Sequence, residues 1–465
     1  MRRPRGTTIA LVLILVVVTG LAMLAPAAYS SGARSVQAWL DPMLRWFYPL
    51  CVICFLGFMI WLGLGPHRVV RLDVGDRGPE FGTAAWLSML FAAGTGVGLL
   101  FWSIAEPLRH FGGNPFVDSR TGSPPERAQM GLLLTYFHWG LNGWAIFATT
   151  GLAMAYAGFR RERTLSVRAT LAPVLGRHTD GPVGHGVDVL AALATVFGIT
   201  TTLGLGVQQM NAGLAHVGGW QQSDALQIGI IALVTTAALI SVLTGLSRGI
   251  RILSETNIVL SLLLLGIFLV AGPTNELLAR LLQTSGAYIR ELPHLSFYAG
   301  VDGAAAWQSD WTVFYWGWWI AWSPFVGLFI ARISRGRTIG EYVAGVLLVP
   351  SAFSFLWIAL LGGSALHLQL QGATDLVAVV REDVATALFV TIDALAMPGW
   401  LTSGTHWLAL ALIGIYYVTS ADSGTVVLTT LFMGGRDRAS RLTRGGTGET
   451  SAADSEHERD DRREG

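Results

Sequence analysis

No lysine occurs in this chain of 465 residues, and charged side chains of any kind make up only 13% of it. A soluble domain carries about 25% charge, so an ordinary water-soluble globule is excluded. A net charge of +1 offers nothing to hold a nucleic-acid partner. Without lysine there is no Walker loop, whose phosphate cradle ends in Gly-Lys-Ser/Thr, and an ATP-driven pump is set aside. The HExxH zinc motif is also missing. Cysteine is scarce: Cys51 and Cys54 are the two present, one turn apart inside FYPLCVICFLGF. Two thiols fall short of a structural metal set, a disulfide inside one helix is unusual, and they read as small packing residues.

What the chain has in quantity is apolar length. It is 52% hydrophobic with a mean hydropathy of +0.52, and the apolar residues come in runs of about 20, enough to cross the hydrocarbon layer as a helix. The fold class is therefore an all-α integral membrane protein. Ten spans are expected, at 8–28, 47–65, 84–106, 131–158, 187–216, 226–245, 255–272, 311–332, 340–364 and 405–432. The first follows Arg2, Arg3 and Arg5 and resembles a signal peptide, but the chain does not turn soluble after it, so it reads as a membrane helix. Arginines cluster after the even-numbered spans: Arg68, Arg71 and Arg77; Arg160, Arg161, Arg163 and Arg168; Arg248 and Arg251; Arg332, Arg335 and Arg337; Arg436, Arg438, Arg441 and Arg444. The positive-inside rule then places both termini in the cytoplasm. Residues 274–292, with Leu277, Leu278, Leu281 and Leu282 as a stripe, read as an interfacial amphipathic helix. Residues 375–398 read as a second amphipathic piece on the outer side, and the charged tail 434–465, which has no aromatic residue, as disordered.

Six tryptophans fall between 307 and 322, and Trp316, Trp318, Trp319 and Trp322 lie within two helical turns. Ser323-Pro324 follows them and is expected to interrupt the helix. Indole faces hold cations well, at about 0.5–2 kcal/mol per ring depending on desolvation. A quaternary ammonium has no N–H to donate, so π faces suit it better than hydrogen bonds. In span four, Trp139, Trp144 and Phe147 share an arc of about 140° at 100° per residue; an interface belt and a binding face both account for it. His138 beside them reads as a hydrogen-bonded packing histidine.

Span three carries Gly94, Gly96 and Gly98 in alternation. Glycines here permit close helix packing or local unwinding that exposes carbonyls to an ion, and Glu106-Pro107 marks the expected helix end. Span ten places Thr419, Ser420, Asp422 and Ser423 inside an apolar run. Hydroxyls and carbonyls are hard-oxygen ligands of the kind sodium takes; the bland alternative is back-bonding of Ser and Thr to the helix.

These strings resemble the betaine/choline/carnitine transporter family. The likeness runs from about 45 to 432 and includes AAGTGVGLLFWSIAEP, FHWGLNGWAIFATTGLAMAY, TVFGITTTLGLGVQQMNAGL, WTVFYWGWWIAWSPFVGLFIARISRGRTI and VTSADSG. The resemblance implies an inverted-repeat, leucine-transporter-type core of five plus five helices preceded by two extra ones. It implies sodium-coupled import of a quaternary-ammonium solute (glycine betaine, choline or carnitine type) across a bacterial cytoplasmic (inner) membrane, by alternating access and often from a homotrimer. By position, the family's aromatic box lands on Trp139, Trp144, Phe147 and Trp319, with Trp318 and Trp322 adjacent. Phe147 stands where the family commonly has Tyr. The sodium site lands on the carbonyls of Ala92, Thr95 and Tyr416 and the hydroxyls of Thr419 and Ser420. A second lands on Thr195, Ile199 and Phe325, where Ile199 offers no side-chain oxygen. Gly98 goes with betaine-like substrates and sodium; Thr95 is an unusual occupant of its position.

The implied organisation is two N-terminal helices in 1–80, a first repeat in 81–272, an amphipathic connector in 273–306, an incomplete second repeat in 307–433 and the tail in 434–465. Family members continue past span ten with two further helices that this sequence lacks. The alternative reading is a non-transporting quaternary-ammonium sensor or an inactive truncated transporter. A metal cofactor or nucleic-acid partner is not expected.

Overall fold

The computed structural model describes residues 5–74, 78–94, 96–243, 246–301 and 303–432, apart from the side chains of 5–7, 241–252, 254, 422–423 and 425–432. Among them regular structure is helical throughout, with one isolated bridge between Arg71 and Thr338. The expected tail 434–465, Thr95 and the side chains of Asp422 and Ser423 lie outside the described residues.

The chain opens with α1 (Arg5–Leu24) and α2 (Pro26–Leu64). The sequence reading placed a loop between the first two spans, but α2 is helical from Pro26 onward through Pro42 and Pro49 and runs 39 residues. At 1.5 Å per residue it outreaches a hydrocarbon core of about 30 Å.

Span three divides into α3 (Thr83–Gly94) and α4 (Val97–Gly112), and span four into α5 (Pro124–Trp139) and α6 (Leu141–Ala155). Then come α7 (Pro182–Gly218), α8 (Asp224–Leu243), α9 (Leu246–Ala271), α10 (Thr274–Ser296), α11 (Phe314–Ile333), α12 (Ile339–Gln371), the short α13 (Leu376–Glu382) and α14 (Ala387–Ala394), and α15 (Gly399–Phe432). Among the described residues, five helices are long and apolar enough to cross a membrane, or up to seven if each bent pair counts as one span. This is an all-α membrane protein.

Two expected helix ends are corrected. Pro107 does not stop its helix, since α4 continues to Gly112. Ser323-Pro324 does not interrupt α11, which runs through to Ile333. Proline has no N–H for the carbonyl one turn back. Here the Ser323 hydroxyl donates to the Ile320 carbonyl at 2.8 Å and supplies the missing donor.

The amphipathic reading of 274–292 matches α10, which turns 111° away from the preceding Glu255–Ala271. Its inward face is Leu277, Thr284, Ala287, Tyr288 and Leu295. Leu278 and Leu282, expected on the same stripe as Leu277, are 43% and 75% exposed and point off the protein. Residues 375–398 form α13 and α14, too short to span.

The loops after α2, α6 and α11 meet on one face. The Arg71 guanidinium donates to the Gly336 carbonyl at 3.1 Å, Arg160 donates to the Asp73 carbonyl at 3.2 Å, and Arg335 lies 3.4 Å from the Asp73 carboxylate. The even-numbered arginine clusters of those loops thus share a side, as alternating spans require.

Small residues set the packing of α6 against α11. A Cβ on Gly151 of α6 would come within 2.4 Å of the Tyr342 hydroxyl and 3.0 Å of the Gly327 carbonyl on α11. Gly151→Leu should therefore cost about 1–3 kcal/mol through overpacking and lower the melting temperature in detergent. Gly57→Leu on α2, where nothing lies within 4 Å, should leave it unchanged.

Candidate functional site

Gly140 makes the break in span four. Its backbone leaves the helix at φ −95°, ψ −147°, and a Cβ there would meet the Tyr136 carbonyl at 2.6 Å and the Tyr288 hydroxyl at 2.7 Å. The freed Leu141 N–H donates to that Tyr288 hydroxyl at 2.9 Å, and Asn142 donates to Ser296 at 2.9 Å. The connector α10 thus satisfies the broken backbone, as a polar group in an apolar interior requires. The break ends α5 on Trp139 and starts α6 just before Trp144, so both indoles reach the same space.

That space is a cavity of about 290 Å³. From the α3/α4 junction it is lined by Ala92, Gly94, Gly96 and Gly98; from α5 and α6 by Trp139, Trp144 and Phe147. From α11 come Trp318, Trp319, Trp322 and Phe325, and from α9 and α15 Asn257, Tyr416, Thr419 and Ser420. Every aromatic residue expected at the box lines this one cavity. Trp319 sits at the centre of the cluster: its ring is 5.7 Å from Trp139, 5.7 Å from Trp144 and 4.7 Å from Phe147, edge-on or tilted to each. Trp318 meets Trp139 edge-on at 6.0 Å.

Glycine makes room for these rings. A Cβ on Gly143 would lie 2.9 Å from the Trp319 indole, and one on Gly98 would lie 2.5 Å from the tip of Trp318. Backbone that approaches an indole this closely leaves no space for a side chain. Trp144, Trp318, Trp319 and Trp322 each carry a buried indole N–H without an acceptor. No Asp, Glu, Arg or Lys lines the cavity among the described residues.

The expected sodium ligands divide. Ala92, Tyr416, Thr419 and Ser420 all line the cavity. The Thr419 hydroxyl accepts from Asn257 at 3.3 Å and donates back to the Ile415 and Tyr416 carbonyls at 3.0 and 3.1 Å. Asn257 has no part in the sequence reading. Of the second set, Phe325 lines the cavity, Ile199 packs against Gly424 and Thr195 is off the cavity wall with its hydroxyl on the Ala191 carbonyl at 2.8 Å. The structure does not bring those three to one point on the cavity wall.

Behind the box lies a cluster that sequence reasoning missed. Glu106, read as a helix end, is fully buried and accepts from four side chains. Its Oε1 takes His138 Nδ1 at 2.6 Å and His110 Nε2 at 3.3 Å. Its Oε2 takes the Trp139 indole N–H at 3.0 Å and the Tyr315 hydroxyl. His138 is the packing histidine the sequence reading expected, stacked on Tyr315 at 4.6 Å. The available signal was an ionisable residue inside an apolar span. A second cluster joins α7, α14 and α15, where the Asp393 carboxylate bridges His216 at 2.5 Å and His406 at 3.3 Å. It ties three helices together away from the cavity.

A profile of the family described as BCCT, betaine/carnitine/choline family transporter, matches residues 7–450. The glycine betaine transporter OpuD of Bacillus subtilis (strain 168) is 41% identical over 409 residues, which cover 87% of this chain and 78% of that protein. A glycine betaine transporter of Acinetobacter baylyi is 36% identical over 420 residues, 90% of this chain and 62% of its own length. The high-affinity choline transport protein of Escherichia coli (strain K12) is 38% identical over 392 residues, 84% of this chain and 57% of its own length. The chain belongs to the betaine/carnitine/choline transporter family and is a transporter, not an enzyme.

Proposed function

We propose that the protein imports a quaternary-ammonium compatible solute, of the glycine betaine or choline type, by sodium-coupled alternating access around the aromatic cavity. One observation carries this reading. The span broken at Gly140 and the unbroken α11 bring all six aromatic rings expected at the box around one cavity, and among the described residues no Asp, Glu or Arg lines it. The volume sits at the small end of the roughly 300–1,000 Å³ typical of ligand pockets, which suits a small solute. Rings at about 0.5–2 kcal/mol each when desolvated offset the dehydration of a permanent cation that can form no N–H bond. The unmatched indole N–H groups fit an acceptor on the same solute, a carboxylate or a hydroxyl. So does the start of α4 at Val97, where the first-turn N–H groups have no partner within the helix and the helix dipole is positive.

Sodium coupling is supported by the presence of Ala92, Tyr416, Thr419 and Ser420 in the lining of this cavity. Two inverted five-helix repeats, beginning at α3 and at α11, would bring this broken-helix site to the bilayer midplane. The face where the arginine loops meet is then the cytoplasmic one, and a homotrimer in the inner membrane is the proposed assembly.

Purified protein in proteoliposomes should take up labelled glycine betaine faster with an inward sodium gradient than with potassium or choline-free buffer alone. Equal rates would remove the sodium assignment. A ligand-dependent tryptophan fluorescence change without any flux would make the protein a binder and not a carrier. Trp319→Leu should weaken binding at least about tenfold, the loss of roughly one desolvated cation–π contact with its packing. Trp61→Leu, on the exposed face of α2, should leave it unchanged; equal effects in a fluorescence titration would sink the box assignment.

A further inference from the structure

Glu106 stands directly behind the box, joined to it by Trp139. The donors around it fit a carboxylate anion. His110 Nδ1 receives the Trp307 indole N–H at 3.4 Å, which puts the proton of a neutral His110 on Nε2, facing Glu106. His138 Nε2 lies 3.3 Å from the Thr312 hydroxyl, which can donate to it and leave the Nδ1 proton for Glu106. With the Trp139 and Tyr315 donors, each carboxylate oxygen accepts two hydrogen bonds, the full complement of an ionised group. No arginine pairs with Glu106 among the described residues; its partners within ion-pair distance are the two histidines.

We propose that Glu106 is the fixed counter-charge of the aromatic cavity and sets its preference toward solutes of net positive charge. The proposal rests on the quaternary-ammonium reading above. Two effects act together. A hydrogen bond from the Trp139 N–H to a carboxylate pushes electron density into the indole and strengthens the face it shows a cation. The charge itself is held by the N–H of Trp139, an indole that lines the cavity, in a buried interior where screening is weak. A cation such as choline gains from both. Glycine betaine carries its own carboxylate, which the same field repels, so its gain is partly cancelled. Glu106 touches neither solute; it positions and polarises the ring that does.

Glu106→Gln tests this with the full-length protein in nanodiscs, titrated with choline and with glycine betaine while tryptophan fluorescence is read. The expected result is a loss of about tenfold in choline affinity and of less than about threefold in glycine betaine affinity, the scale of one weakly screened charge. A purely structural role would weaken both solutes by one factor, and that outcome overturns the proposal. So does an unchanged pair of affinities, or a wild-type protein that takes glycine betaine and refuses choline. The amide of the variant faces two imidazole N–H groups. Both histidines can switch tautomer, but His110 would then turn an N–H toward the Trp307 N–H. Where the single variant does not fold, Glu106→Gln with Trp307→Phe removes that conflict and carries the same test. A wild-type signal from neither solute fails the quaternary-ammonium reading itself, a separate result from equal losses in the variant.

Discussion

A permanently charged solute cannot shed its charge to enter an apolar interior, so the interior must offer something in place of water. In the function proposed above, the aromatic cavity answers that constraint. Formal charges on the cavity wall would demand their own hydration each time the site emptied. Aromatic faces need none, and they are available in number only if several helices present them to one point. A straight helix shows a side chain about every third or fourth position on one face. Trp318, Trp319 and Trp322 come from the unbroken α11, and bringing Trp139, Trp144 and Phe147 to the same cavity of about 290 Å³ takes a helix that stops and restarts at Gly140.

Each break carries its own cost in unsatisfied backbone, and each is met locally. At Gly140 the donor freed by the break finds the Tyr288 phenol, and Asn142 finds Ser296. Within α11 the carbonyl left open by Pro324 is taken by Ser323. Glycine then lets the indoles approach, at Gly98 for Trp318 and at Gly143 for Trp319. The same logic runs one layer further out. Trp139 cannot leave its N–H unpaired in this interior without cost, and its partner is Glu106, itself held by two histidines and Tyr315.

Much of this was legible in the sequence and some was not, for physical reasons. Composition and run length give an all-helical membrane protein, because hydropathy reports the solvent a segment will meet. The tryptophan strings are legible as side chains that gather at one place, and the structure puts Trp139, Trp144, Trp318, Trp319 and Trp322 around one cavity. Proline misled: at 107 and 324 it reads as a stop, yet a hydroxyl one residue earlier or a packed neighbour can replace what it removes. Gly140 gave no warning, since a lone glycine in an apolar run looks the same whether it packs or breaks. Glu106 was hidden by its neighbour Pro107, which made it look like a helix end at the membrane surface. Its partners His110, His138 and Tyr315 lie 4, 32 and 209 residues away, and only the folded chain brings them to one carboxylate. Of the hydroxyls read as sodium ligands, Thr419 and Ser420 reach the cavity while Thr195 does not, a difference of helix rotation that spacing alone does not resolve.

The Tyr288 tether has a mechanical consequence. Its phenol sits on a connector helix whose outer flank, at Leu278, Leu282 and Ile289, is exposed and greasy. Whatever presses on that outer side bears on the helix that caps the Leu141 amide. Should the connector roll, the amide would lose its acceptor, at about 1–3 kcal/mol for a buried orphan, and the hinge between Trp139 and Trp144 would loosen. Movement of α10 is in this way coupled, through one phenol, to the backbone break between the two indoles.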